Sequence, residues 1–201
     1  MKLIVMTQPT FFVEENKIIE RLFESGLDML HLYKPDSSPM YAERLLTLLP
    51  DNYLNKVVVH EHYYLKEEYR LQGIHIDDPS ENPPIGFRGH VSRTCNDLSM
   101  LKSMKSRSSY VFLDWVFSNT NIENVQLAHT YEQLKAAHKH GLIDRHVYAM
   151  GGITIDNIHA AKELGFGGVV VCSDLWNKFD IHNGTDYNQL LAHFEKLRKK
   201  I

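Results

Sequence analysis

The sequence predicts a (β/α)8 barrel, an α/β fold in which parallel strands alternate with helices. Two observations indicate it: short apolar runs recur along the whole chain, and segments with helical spacing of apolar residues separate them. The clearest unit covers 147–176, where a buried strand, a double glycine, a helix and a second buried strand follow one another. An open doubly wound sheet is the alternative, but it needs a dinucleotide-binding fingerprint that this sequence lacks.

The predicted strands are short, mainly apolar runs, as expected for strands buried on both faces. They are Leu3–Met6, Asp28–Tyr33, Lys56–His60, Gly73–Asp77, Gly89–Ser92, Tyr110–Asp114, Val147–Met150 and Gly168–Cys172. Apolar residues at helical spacing predict helices over Val13–Ser25, Pro39–Leu49, Tyr64–Leu71, Asn96–Met104, Val125–His140, from Ile155 to a stop at Gly165, and Asp186–Lys200. The segment 78–87, rich in Pro and Asp, is too short for a long helix.

Length and composition limit the class of protein. The 201 residues are enough for one domain, 1–201, with a full core. A formal net charge of −3 argues against nucleic-acid or membrane partners and leaves small molecules. Cys95 and Cys172 are far apart and suggest no disulfide framework, so a cytoplasmic location is expected. The apolar start of the chain is too short for a signal peptide or a membrane span. A homo-oligomer stays open.

A double glycine follows the seventh strand and favours anion binding. Gly151 and Gly152 let backbone N–H groups approach a phosphate, and a helix starting near Ile155 adds a favourable dipole. We expect the backbone of these glycines and of Ser173 to bind phosphate, with Gly168 leaving room. The double glycine alone is also compatible with a simple tight turn.

Polar residues end five consecutive predicted strands, and in such a barrel these ends meet at one mouth. They are His31 with Lys34, His60 with Glu61, His75 with Asp77, Ser92, and Asp114. Their convergence predicts a binding site at the mouth. The pattern His60-Glu61-His62 alone does not predict zinc, because no third ligand stands at a known spacing.

Several of these segments resemble the thiamin phosphate synthase and thiazole tautomerase family. Met150-Gly-Gly-Ile-Thr with Asn157, and 165–173 with its glycines and Ser173, are similar to the family's last two strands. Gly73-Ile-His75 and the Gly89…Ser92 segment are similar to motifs on the middle strands. The resemblance implies a barrel enzyme of thiamin biosynthesis that takes small phosphorylated thiazole and pyrimidine substrates.

For a synthase, the resemblance implies coupling of hydroxymethylpyrimidine pyrophosphate to thiazole phosphate, with loss of pyrophosphate. It places Glu61 at one of the family's Mg2+ carboxylates; the second falls near Ser80, and Asp77, close before it, is expected to supply that ligand. It makes Lys34 and Ser92 the expected catalytic residues, with Lys34 offsetting the pyrophosphate charge. The implied substrate-binding residues are His31, His60, His75, Gly151, Gly152, Gly168, Cys172 and Ser173. A packed strand position is the simpler interpretation of Cys172.

The departures from the family keep two alternatives open. Tyr33 stands where synthases carry Arg, and the Thr-x-Thr-Lys phosphate clamp is replaced at 119–122 by Asn-Thr-Asn-Ile. Trp115 replaces the His that serves the tautomerase branch as acid and base. One alternative is a tautomerase-like proton-transfer enzyme, with His31 or His75 as the acid/base. The other is a non-catalytic binder of thiamin intermediates.

Overall fold

Eight parallel strands close into a barrel in chain order, which confirms the predicted fold. The computed structural model describes residues 1–117, 129–180 and 187–201. The strands are β1 (Lys2–Met6), β2 (Met29–Leu32), β3 (Val57–Val59), β4 (Gly73–Ile76), β5 (His90–Cys95), β6 (Tyr110–Leu113), β7 (Val147–Ala149) and β8 (Gly168–Val171). Strand β1 pairs with both β2 and β8, and this pairing closes the ring.

The helices lie outside the barrel, in the connections that follow the strands. They are α1 (Glu15–Glu24), α2 (Pro39–Leu48), α3 (Asp51–Leu54), α4 (Leu65–Glu68), α5 (Leu101–Ser106), α6 (Tyr131–Lys139), α7 (Ile158–Glu163), α8 (Ser173–Trp176) and α9 (Asn188–Lys200). A capping box formed by Thr130 and Gln133 fixes the start of α6. In the described part of the chain, no helix has the length and apolarity that crossing a membrane requires.

The structure corrects several predicted boundaries. Strand β5 continues to Cys95, so Ser92 lies within the strand and not at its end. Helix α7 begins at Ile158, because 154–157 form a turn closed by a hydrogen bond from the Thr154 N–H to Asn157 Oδ1. Helices α3 and α8 are single turns that the apolar periodicity did not predict. The clamp position 119–122 and the predicted helix starts at Val125 and Asp186 lie outside the described residues.

Most of the apolar core lies between the strands and the helices. Every second strand residue points outward into this layer, as Leu3, Leu30 and Val169 do. Helix α1 contributes a buried stripe to the same layer: Ile18, Ile19, Leu22 and Phe23. The helices are therefore held by apolar packing, and the inward-facing strand positions are left to fill the barrel.

The barrel interior is apolar at one end and polar at the other. The apolar part consists of Ile4, Met29, Val58, Tyr110, Phe112, Tyr148 and Val170. Strand β8 begins with Gly168, where a Cβ would come within 3.1 Å of the Tyr148 ring. Above this layer the same inward parity brings His31, His60 and His75 together near the carboxyl ends of the strands, which we call the mouth.

Candidate functional site

A cavity of about 160 Å³ opens at the mouth beside the double glycine. Its lining includes Gly151, Gly152 and Ser173, which we call the glycine cup, and it also includes Asp114 and Cys172. None of the described residues that line it is Lys or Arg. Any anion held there would therefore depend on backbone N–H groups and hydroxyls rather than on a neighbouring cationic side chain.

The glycine cup has a backbone that only glycine adopts easily. Gly151 and Gly152 have φ values of 85° and 68°, in the left-handed region. Asn157 fixes the turn that follows, because its Nδ2 donates to the carbonyl of Gly152 at 2.8 Å. Among the described residues, the N–H groups of Gly151 and Gly152 have no acceptor. These two donors at a cavity edge are suited to a phosphate.

Asp114 brings a carboxyl group to the same cavity. It follows β6 directly, and its Oδ1 accepts a hydrogen bond from the Trp115 N–H at 2.8 Å. A Cβ at Gly151 would come within 3.0 Å of that oxygen, so the glycine allows the close approach. Burial raises the pKa of Asp114 above its ordinary value, although the Trp115 N–H opposes the shift. A carboxyl group poised in this way can accept and return a proton.

Three histidines, His31, His60 and His75, form a buried histidine cluster below the mouth. Their side chains are almost inaccessible to solvent, and one nitrogen from each ring lies within 4.8 Å of the others. His31 Nδ1 is 2.9 Å from His60 Nε2, while the rings of His60 and His75 stack at 4.3 Å. The sequence placed all three at strand ends but did not predict this contact.

Each ring of the histidine cluster also has a polar partner outside it. His60 Nδ1 is 2.9 Å from Asp77 Oδ2, and His31 Nε2 is 2.8 Å from the hydroxyl of Tyr110. His75 Nδ1 is 2.8 Å from Ser92 Oγ. Burial, and then the neighbouring imidazoles, hold the pKa values of His31 and His75 well below the usual range. Both rings are therefore neutral at physiological pH.

Two predicted site residues use their polar atoms in these contacts and do not line the cavity. Ser92 lies in the middle of β5 with its hydroxyl on a buried imidazole, and it does not line the cavity. His31 likewise lies beneath the mouth and not on the cavity wall. The alternation of side chains along a strand correctly predicted that both point into the barrel. It did not predict how far below the mouth they lie along the barrel axis.

Lys34 does not face the mouth as a free cation. Its Nζ lies 2.6 Å from Glu15 Oε1 and 2.9 Å from the carbonyl of Thr10, over the ring of Phe11. Its side chain is 2% exposed. Lys34 therefore forms a buried ion pair with Glu15 of α1, a contact that the sequence analysis did not predict.

Glu61 and Asp77 remain near each other at the mouth. Glu61 Oε2 accepts a hydrogen bond from the Lys34 N–H at 3.2 Å, and Asp77 is half exposed. Burial raises the pKa of Glu61, and the charge of Asp77 adds to the shift. Carboxylate oxygens are ligands that Mg2+ accepts. Neither residue belongs to a three-ligand metal group among the described residues, where the histidine cluster is the one such group.

Two further predictions concern β8. Gly168, the first residue of β8, leaves room for the Tyr148 ring and does not line the cavity. Cys172 does line the cavity, with Sγ 3.8 Å from the carbonyl of Thr7. Burial raises the pKa of the Cys172 thiol to about 11, so it is a neutral thiol. It forms no disulfide with Cys95.

The sequence analysis misses the contributions of several residues that shape the site. It includes Asp114 among the polar strand ends that predict a binding site but assigns it no chemistry. Tyr110 and Met29 are the first residues of β6 and β2, at the end of each strand away from the mouth, where the sequence analysis places no functional residue. Thr94 Oγ1, 2.9 Å from His75 Nε2, shares the inward parity of Ser92, which was the one signal for it.

Two relatives that cover most of this chain are thiamine-phosphate synthases. A thiamine-phosphate synthase from Klebsiella pneumoniae is 28% identical over 184 residues, which cover 87% of this chain and 85% of the relative. A thiamine-phosphate synthase from Cronobacter sakazakii is 25% identical over 183 residues, covering 86% of each chain. No family model matches the chain.

Solved structures extend this likeness. A crystal structure of a thiamine phosphate pyrophosphorylase from Bacteroides thetaiotaomicron is 48% identical, with a TM-score of 0.90, over 100% of this chain and 97% of that one. A thiamine phosphate pyrophosphorylase from Pyrococcus furiosus is 17% identical with a TM-score of 0.77, over 99% and 94%. At that identity the second match supports the fold alone.

Proposed function

The chain belongs to the thiamine-phosphate synthase family, and we propose that it transfers a proton on a phosphorylated thiazole of thiamin biosynthesis. The glycine cup would hold the phosphate through the N–H groups of Gly151 and Gly152. Asp114, in the same cavity, would act as acid and base on the thiazole ring. The observation that carries the proposal is this sharing of one cavity by an anion cup and a carboxyl group of raised pKa.

The surroundings of Asp114 suit proton transfer. Burial keeps its pKa closer to neutral than that of an ordinary aspartate, which makes both the loss and the gain of a proton accessible. Trp115, which follows it, occupies the position where the tautomerase branch carries its acid/base His, and the indole cannot serve that role. The neighbouring carboxyl group of Asp114 would take it over.

The arrangement of charges argues against displacement of pyrophosphate as the main activity. A pyrophosphate leaving group needs cations where its negative charge develops. Lys34 is held on Glu15, and the described lining of the cavity contributes neither Lys nor Arg. The cup itself provides neutral donors, which are sufficient for one phosphate group.

Thiamin phosphate synthesis is the second candidate, and the pair Glu61–Asp77 favours it. The burial of Glu61 and the nearby charge of Asp77 both disfavour its ionised form, a situation that a divalent cation relieves. These two residues would hold Mg2+, which when bound would neutralise the charge of the pyrophosphate. A binder without catalysis is the remaining possibility, and the same assay addresses it.

Parallel assays of the purified protein test the proposal. In one, solvent deuterium incorporation during interconversion of the tautomers of a thiazole phosphate is followed by NMR. In the other, pyrophosphate release from hydroxymethylpyrimidine pyrophosphate and thiazole phosphate is measured with Mg2+. We expect deuterium incorporation with little pyrophosphate release. Mg2+-dependent release at a rate typical of enzymes would establish the synthase instead, and binding without either reaction would leave a binder.

Asp114→Asn provides the matched test of mechanism. Loss of a general acid/base lowers rates by roughly 10²- to 10⁴-fold, whereas the cup and hence phosphate affinity should be retained. Asp156→Asn is the control, because Asp156 is exposed and lies outside the cavity lining. Equal activity of the Asp114 and Asp156 variants would refute the assigned role.

A further inference from the structure

We infer that the histidine cluster is a binding site for a divalent transition-metal ion of the zinc class, with imidazole ligands in place of the carboxylates proposed for Mg2+ at the mouth. His31, His60 and His75 offer one nitrogen each within 4.8 Å of one another, inside the barrel. Three imidazoles suit Zn2+ and its neighbours in the first transition row, whereas Mg2+ prefers oxygen ligands. The site does not depend on the proposed reaction.

Partners on the opposite ring nitrogens support this site. A metal-binding histidine usually donates its other N–H to a fixed acceptor, which sets the tautomer. His60 Nδ1 lies 2.9 Å from the Asp77 carboxylate, His31 Nε2 2.8 Å from Tyr110 Oη, and His75 Nδ1 2.8 Å from Ser92 Oγ. Each ring of the histidine cluster therefore has an acceptor in place on one nitrogen.

Without metal, His31 must carry its proton on Nδ1, the nitrogen that would bind the ion. His31 Nδ1 and His60 Nε2 are 2.9 Å apart, so one of them carries a proton. Because Asp77 takes the Nδ1–H of His60, His31 donates from Nδ1, and the Tyr110 hydroxyl donates to His31 Nε2. This arrangement satisfies the cluster but leaves His31 with no lone pair directed at an ion. The lone pair of His75 Nε2 accepts a hydrogen bond from the Thr94 hydroxyl, 2.9 Å away, which a metal ion would have to replace.

A tautomer change would open the site without releasing a proton. The His31 proton moves from Nδ1 to Nε2, where it is donated to Tyr110 Oη. The Tyr110 O–H then turns to Met29 Sδ, which already lies 3.0 Å away. After this change His31 Nδ1 and His60 Nε2 both present lone pairs.

A metal ion can reach the histidine cluster from the mouth, and the movement that binding requires is confined to side chains. Asp77 is 51% exposed, touches His60, and has Oδ1 3.6 Å from His75 Nε2, so a cation entering from the mouth meets its carboxylate first. With Zn–N bonds of about 2.0–2.1 Å, ligand nitrogens in a tetrahedral site lie roughly 3.4 Å apart. Reaching that spacing takes shifts on the order of 1 Å. It also takes rotation of the His60 or His75 ring out of their 4.3 Å stack, so that both in-plane lone pairs point at one ion.

Titration of chelator-treated full-length protein with Co2+ tests the inference, with visible absorption as the readout. We expect saturable binding of one ion per chain, with the intense bands of a four-coordinate site, displacement by Zn2+, and no displacement by excess Mg2+. His60→Gln should abolish these bands. Asp77→Asn, which changes a half-exposed residue, should weaken Co2+ affinity about 10- to 100-fold. No thiamin intermediate is used, so failure here does not touch the proposed reaction.

His159→Gln is the matched control, because that imidazole is 77% exposed on α7; it should bind Co2+ as the wild type does. If His60→Gln does not fold, the wild-type spectrum and the Asp77→Asn titration decide. Weak Co2+ bands typical of a hydrated ion in the wild type would overturn the inference, as would unchanged affinity in Asp77→Asn. The histidine cluster would then be a hydrogen-bonded part of the barrel core.

Discussion

Lys34 Nζ lies 2.6 Å from Glu15 Oε1, and the two side chains are only 2% and 1% exposed. The pair joins the end of β2 to the first turn of α1, while the second oxygen of Glu15 has no partner among the described residues. Removing either charge alone leaves the other buried, which is costly even where the intact pair adds little net stability. Lys34 therefore has a structural role that competes with any contact to substrate.

A double-mutant cycle measures that role. Lys34→Met should lower the free energy of unfolding by roughly 3–5 kcal/mol, because it leaves a buried carboxyl group without a partner. Adding Glu15→Leu should recover much of the loss, since both charges are then gone. Denaturant unfolding provides the measurement, and Lys17→Met, which breaks an exposed pair with Glu14, is the control. Normal stability of Lys34→Met with lost pyrophosphate release would instead assign Lys34 to the substrate.

The same pair predicts a pH dependence of stability. Burial raises the pKa of Glu15 from 4.5 to about 7, more than the Lys34 charge lowers it. Between these values the folded state keeps a proton that the unfolded state releases, so the free energy of unfolding falls as pH rises. Glu15→Gln should remove this fall, and parallel wild-type and variant curves from pH 4.5 to 7 would contradict the assignment.

Most of the barrel was predictable from the sequence, because each strand is a short apolar run and α1 carries a complete stripe from Ile18 to Phe23. The boundaries that differed depend on contacts between distant segments. The start of α7 is set by the Asn157 side chain, which bonds both Thr154 and Gly152. Single-turn helices such as α8 contain too few residues to show a period.

The sequence predicted which kinds of residues form the site and at which end of the barrel they lie. It did not predict which of their polar groups contact one another. Strand parity placed the histidines inside, and the double glycine indicated the cup. Which polar groups meet depends on the stagger of neighbouring strands, which pairs His31 of β2 with Val58 of β3 and so leaves its ring against His60. No local sequence pattern predicted that Glu15, on helix α1, would form an ion pair with Lys34.

Ser92 should prove structural and not catalytic. Its hydroxyl is the partner of buried His75 Nδ1, so Ser92→Ala leaves that nitrogen unsatisfied and should cost about 1–3 kcal/mol of unfolding free energy. Turnover per folded molecule should stay near wild type, as measured by the deuterium-incorporation assay. Ser109→Ala, which removes a hydroxyl from an exposed contact with His90, is the control. A large fall in kcat with unchanged stability would return Ser92 to the catalytic residues.

The glycine cup is tested by substitutions with equal backbone strain. Gly152 has φ 68° and lines the cavity, whereas Gly141 has φ 71° with nothing within 4 Å of an added Cβ. Alanine at either position pays the cost of a left-handed conformation, about 1–2 kcal/mol. Only Gly152→Ala should weaken thiazole phosphate binding, by about tenfold or more in calorimetry, because its Cβ stands beside the anion. Equal affinities of the two variants would place the phosphate elsewhere.

Asp114 predicts a pH profile for the proton-transfer reaction. If its carboxylate removes the proton from the thiazole, kcat/KM should rise with pH and level off once Asp114 is ionised. Because burial raises its pKa, that rise should be centred above the ordinary value of 3.8. The raised pKa also means that ionised Asp114 lowers stability, so Asp114→Asn should unfold at higher temperature than the wild type at neutral pH. A variant that is more stable, binds thiazole phosphate normally and has lost the pH-dependent reaction would match all three expectations. Retention of the same pH profile in Asp114→Asn would assign the titrating group to another residue.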